Sequence, residues 1–226
     1  MGTLHLTLVD APGHPEWLQG EAAPHVSGRS HRALPQRVRI ADAATRCVAR
    51  RGVAKTTLDD VAREAGCSRA TVYRTFPGGK EEVVSAVVDT EVARLFSALA
   101  VQMGGAVDLE DALVAGVVFT ATAVAEHRAL QYVLENEPEV LLPQLCFAPL
   151  GTVLERVCEF AVPFLARWID PDLARRVADL AARIVLSYVA TPAVGIDLCN
   201  EATTRRLVST FLMPATRAAG LTGVSI

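Results

Sequence analysis

Long apolar runs are missing from this chain. Every hydrophobic stretch is broken by a charge or a proline short of the roughly 18–20 residues that a bilayer crossing needs. No basic start leads into an apolar signal segment, because Leu4 to Val9 is too short and no Lys or Arg precedes it. A soluble, cytoplasmic protein without a membrane partner is expected. Cysteine is sparse, odd in number and scattered: Cys47, Cys67, Cys146, Cys158 and Cys199, with no two at CxxC spacing. Neither a zinc site nor a disulfide framework is indicated, and buried, reduced thiols are the expectation. Histidine is scarce where chemistry would need it, since four of the five (His5, His14, His25 and His31, but not His127) precede residue 34. No HExxH, GxSxG or phosphate-loop pattern occurs, and Glu137 and Glu139 read as exposed charge beside Pro138. Without a nucleophile–base pair or a metal cluster, the chain reads as a non-enzyme with no cofactor and no metal.

What is present is hydrophobic bulk and an uneven charge. Apolar residues make up 51% of 226 and mean hydropathy is +0.30, enough for a substantial core. The net charge of −3 conceals a division: residues 29–80 hold 12 Arg or Lys against 4 Asp or Glu, a net of +8. Residues 81–226 hold 10 against 18, a net of −8. An acidic body carrying one basic block is the pattern of a protein in which the block alone faces a polyanion.

The periodicity predicts an all-α chain of about nine or ten helices. Residues 1–33, rich in Gly, Pro, His and Ser, read as a flexible arm. A helix from Pro35 should stop at Gly52, and a second should open at Thr57 with Asp60 placed for a capping box. Gly66 supplies a left-handed turn, and Ser68 is an N-cap for a third helix, Arg69 to Phe76. Further helices are expected over Lys80–Gln102, Leu109–His127, Leu150–Trp168, Pro171–Tyr188 and Asn200–Ala219, with short pieces over Leu130–Leu145. Pro163 should kink or divide the Leu150–Trp168 helix.

Two short helices around a glycine turn make a helix-turn-helix, whose second helix enters the major groove of DNA while the first braces across the backbone. Val61, Ala62, Ala65, Ala70 and Val72 offer small inner faces that let the pair close up. Ser68, Arg69, Thr71, Tyr73 and Arg74 offer donors on the outer face. Arg69 can fork onto guanine O6 and N7 or clamp a phosphate. Thr71 can donate to a phosphate or meet a thymine methyl, and Tyr73 can reach a phosphate oxygen. Thr57 and Lys80 are candidate backbone contacts at the starts of their helices. Structural roles are also open to them: caps for Thr57 and Ser68, packing for Tyr73, solvation for Lys80.

The stretch TTLDDVAREAGCSRATVYRTFPGGKEEV, residues 56–83, and the preceding RIADAATRCVARRGV, residues 39–53, closely resemble the TetR family of transcriptional regulators. The resemblance covers about fifty residues. This chain departs from it in having Gly78 and Gly79 between the proline and the lysine, where family members commonly have one small residue. The resemblance implies a DNA-binding domain over 34–80 and a helical domain over 81–226 that binds a small molecule and dimerises. It implies a repressor that leaves a palindromic operator when its effector binds. An activator or a redox-sensing regulator of the same fold, with Cys67 as its thiol, is the alternative. The alternative class is a helical protein-binding adaptor, which leaves the basic block without a purpose. The stripes Val177, Leu180, Ala181, Ile184, Val185, Tyr188 and Leu207, Val208, Phe211, Leu212 suit either a dimer interface or an internal core. Phe119, His127, Tyr132, Phe147, Phe164, Trp168 and Tyr188 are the candidate lining of a pocket for a lipophilic effector.

Overall fold

The computed structural model describes residues 30–140, 148–191, 194–214 and 216. Most of the expected arm, together with Cys146 and Phe147, lies outside them. The described residues are helical, without strands, in the order α1 (Ser30–Lys55), α2 (Leu58–Glu64), α3 (Arg69–Thr75), α4 (Gly79–Gly104) and α5 (Leu109–Glu126). There follow α6 (Arg128–Asn136), α7 (Ala148–Leu165), α8 (Pro171–Ala190) and α9 (Glu201–Leu207), which widens into a π-turn over Val208–Leu212. Among these residues no helix is long and apolar enough to cross a membrane.

The helix starts follow local chemistry. Thr57 and Asp60 complete the capping box, each accepting from the other's backbone N–H at 3.2 Å. Asp108, Asp170 and Asn200 accept first-turn N–H groups of α5, α8 and α9, with Pro171 opening α8. His127 ends α5 and caps α6, its Nδ1 accepting from Leu130 N at 3.1 Å.

Two expectations change here. Helix α1 begins at Ser30, ahead of Pro35; the fixed φ of proline is itself helical, so proline marks the neighbourhood of a start and not its first residue. Pro163 does not divide α7, because it falls in the last turn and the helix ends at Leu165.

Two cores lie on one long helix. The smaller gathers Ile40, Ala43 and Ala44 of α1, Val61 and Ala62 of α2, Val72 of α3 and Phe76 against Val83 of α4. The larger is built from Phe96, Leu99 and Met103 of α4 with Leu113, Phe160, Ala174 and others from α5 and α7 to α9. At about 1.5 Å per residue, the 26 residues of α4 bridge the two bodies. A third contact joins them, where Val48 of α1 packs with Ala129 and Val133 of α6.

Candidate nucleic-acid interface

Helices α2 and α3 close on Val61, Ala62, Ala65 and Val72, all buried. Gly66 turns the chain with φ 64°, and Cys67 N donates to Ala62 O at 3.0 Å across the turn. Cys67 is half-buried and packs against this core. Ala70 is exposed, contrary to the inner-face reading. A helix seven residues long buries one narrow stripe, and here Val72 and the capping Phe76 fill it.

The exposed face of α3 carries Arg69, Ala70, Tyr73 and Arg74. Arg69 donates to Asp59 Oδ2 at 3.0 Å and to Tyr73 Oη at 3.3 Å, with its guanidinium 5.3 Å from the Tyr73 ring centroid. Both partners of the Arg69–Asp59 pair are more than half exposed, so solvent screens the pair and it yields readily to a base or phosphate. Arg74 has no hydrogen-bond or ion-pair partner among the described residues, and Lys55 and Arg39 are likewise unpaired. Ser68 and Thr71 are mutually engaged: Thr71 N donates to Ser68 Oγ at 3.1 Å, and the two hydroxyls lie 2.9 Å apart. Thr57 Oγ1 contacts Asp60 Oδ2 at 2.7 Å while remaining exposed.

Lys80 takes a partner that its spacing did not reveal. Its Nζ donates to the carbonyl of Ala54 at 3.1 Å, at the end of α1. The two glycines before it have separate uses. Gly78 N donates to Glu82 Oε2 at 2.8 Å, and Gly79, with φ 71°, turns the chain into α4. The bond from Gly78 N, aided by Arg37, holds the Glu82 carboxyl below its ordinary range.

Much of the basic block is spent internally. Arg46 and Arg50 grip Glu64, whose carboxyl they hold down, Arg46 the more strongly. Arg51 and Arg63 meet Asp60, held down chiefly by the Thr57 hydroxyl and backbone. Arg37 lies 4.3 Å over the Phe76 ring and donates to Thr75 O and Glu82. It staples α1 to the end of α3. Periodicity gave no sign of this role, because its partners stand 38 and 45 residues away.

Glu137 overturns its sequence reading. It is 7% exposed, and its carboxylate accepts from Val53 N at 2.6 Å and Ala54 N at 3.2 Å. Gly52, at φ 82° and ψ 172°, interrupts α1 and frees those N–H groups from their intrahelical acceptors. A Cβ on Gly52 would collide with the same carboxylate. Thr56 donates to Gly52 O at 2.6 Å, so Glu137, Thr56 and Lys80 together satisfy the turn where α1, α4 and α6 meet.

Two apolar cavities flank α4. The first, of about 300 Å³, lies among α4 to α8; the second, of about 500 Å³, lies between α1, α2, α4, α5 and α6. Val88, Val92, Leu95, Val124 and Leu130 line both. Of the expected pocket residues, Phe119 and His127 line the second. Tyr132, Phe164, Trp168 and Tyr188 line neither, and Phe164 and Trp168 pack against the larger core instead. The ring of His127 is committed: Nδ1 caps α6, which places its proton on Nε2, 3.4 Å from Glu91 Oε2. Aliphatic side chains supply most of both walls, so choosing pocket residues by aromaticity missed them. Among the described residues no cluster of His, Cys, Asp or Glu is arranged to hold a metal.

A short helix pair around a left-handed glycine, packed on a third helix and presenting Arg69, Tyr73 and Arg74 outward, defines a helix-turn-helix DNA-binding protein. Residues 40–87 match the family model of the bacterial regulatory proteins of the tetR family. That segment, with its helix-turn-helix, is a DNA-binding domain of the tetR family of transcriptional regulators. The chain is 28% identical over 183 residues, covering 78% of this chain and 83% of the relative, to an uncharacterized HTH-type transcriptional regulator of Mycobacterium tuberculosis. Its fold is similar to that of the TetR family repressor AlkX from a Dietzia species, with TM-score 0.60 and 23% identity over 83% of this chain and 98% of that one. It is also similar to that of the fatty acid degradation regulator FadR from Bacillus halodurans, with TM-score 0.55 and 22% identity over 83% and 98%.

Proposed function

We propose that the chain is a homodimeric, cytoplasmic repressor whose reader domain, residues 34–80, holds a palindromic operator until a lipophilic molecule enters the helical domain, residues 81–226. The observation that carries this reading is the position of α4. Val83 near its start belongs to the reader core, while Phe96, Leu99 and Met103 belong to the larger core and line the first cavity. A ligand that displaces α4 therefore changes the spacing of the reader from its partner. The description of AlkX as a repressor, in a protein of similar fold, favours repression over activation.

Arg69 is assigned to a base edge, with Tyr73, Arg74, Thr57 and Ser68 assigned to the backbone and Thr71 to the helix cap and an adjoining phosphate. Mobility shifts on intergenic DNA beside the gene, with and without an inverted repeat, test the reading. Specific, salt-sensitive retention of the repeat is expected. Arg69→Ala should cost about 1–3 kcal/mol and relax preference at one base pair. Retention of all fragments alike would refute it.

A further inference from the structure

The first cavity opens to solvent. Among its described lining residues only Thr120 and Arg156 carry polar side chains. Three of the lining residues also reach solvent: Val88 is 52% exposed, Val153 41%, and the Arg156 side chain 44%. Val153 and Arg156 are three apart on one face of α7, and Val88 faces them from α4. The exposed valines mark the mouth, and the guanidinium stands at it. Inside, Phe96 and Phe160 stack with centroids 4.6 Å apart, within a wall that is otherwise mostly aliphatic.

Arg156 is weakly held. Its partner is Asp89 at 3.5 Å, itself 64% exposed, and such a pair in water contributes little. A packing void of this size forfeits dispersion contacts unless something fills it. A neutral hydrocarbon would fill the void but make no use of the cation. The fork of an arginine matches a carboxylate or phosphate in two parallel bonds, a stronger contact than the one Asp89 provides.

We propose that this cavity takes an amphiphile with an apolar chain and a single anionic head group, the chain lying against Phe96 and Phe160 and the head pairing with Arg156 at the mouth. The proposal rests on the reading of the helical domain as the effector site and names the chemistry of the effector.

Calorimetric titration of the full chain with dodecanoate, dodecyl phosphate and dodecanol, each below its aggregation concentration, tests it. The wild type should bind at least one of the two anions about tenfold more tightly than dodecanol. Whichever anion is preferred identifies the head group as carboxylate or phosphate. Arg156→Met retains an apolar stem, so it should abolish the preference while leaving dodecanol affinity within roughly twofold of wild type. Equal binding of all three by the wild type, or a preference that survives in Arg156→Met, overturns the anionic assignment and leaves the lipophilic pocket standing. Failure of all three to bind overturns both.

Discussion

Glu137 and Gly52 form a two-residue lock between α6 and α1. The positive φ of Gly52 frees two backbone N–H groups, and a buried carboxylate 84 residues away accepts one of them at 2.6 Å. Left without that acceptor, those part-buried donors lose a charged partner and bear a desolvation cost. Glu137→Ala should therefore lower stability by about 1–3 kcal/mol, read from urea unfolding. An unchanged midpoint would mean that solvent caps the turn as well as the carboxylate does. The cysteines divide at the same scale. Burial pushes the thiols of Cys47 and Cys158 up, as expected of small inert hydrophobes, whereas Cys199 is exposed.

Helix α2 is seven residues long, too short to be stable alone, and depends on its ends. Asp60 supplies the capping box at one end and Glu64 takes two arginines at the other. Glu82 does comparable work for the α3–α4 junction through Gly78 and Arg37. All three carboxyls are held below their ordinary values, 3.8 for Asp and 4.5 for Glu. The sign follows from linkage. A carboxyl whose folded pKa is depressed contributes stability that is complete above its unfolded value and is lost as pH falls through its folded one. The melting temperature should hold steady above about pH 5 and fall as pH drops through 4 and below. Glu64→Gln should flatten part of that fall. A profile identical to wild type would show that the arginine grip on Glu64 contributes nothing.

For the whole molecule, the outward surfaces of α8 and α9 bear on assembly. Most of the two apolar stripes turned inward: Val177, Val185, Val208 and Leu212 are buried within the chain. Two large side chains did not, Leu180 at 45% exposure and Phe211 at 68%. If these helices pair with their copies in the proposed homodimer, the two side chains sit in the seam. Phe211→Glu would then bury a charge against its symmetry mate. The sedimentation coefficient should fall to that of a monomer, and operator binding should be lost with it. A variant that remains dimeric would exclude this face as the interface.

The reader was legible in sequence because its determinants are local. Gly66, Ser68, and Thr57 with Asp60 act over three or four residues, and a cap or a left-handed turn depends only on near neighbours. The same holds for most helix boundaries and for the all-α class. Tertiary structure alone decided what the charges and aromatics do. Arg37, Arg46 and Arg50 look like nucleic-acid contacts in a string of letters, yet each has an acidic partner on another helix. Glu137 looks exposed beside a proline until the fold brings it to Gly52, whose turn frees two N–H groups. The cavities are walled by valines and leucines that any core would contain, and only their arrangement around α4 leaves a space. Periodicity specifies which face of a helix is apolar; which distant residue meets that face is set by how the helices pack.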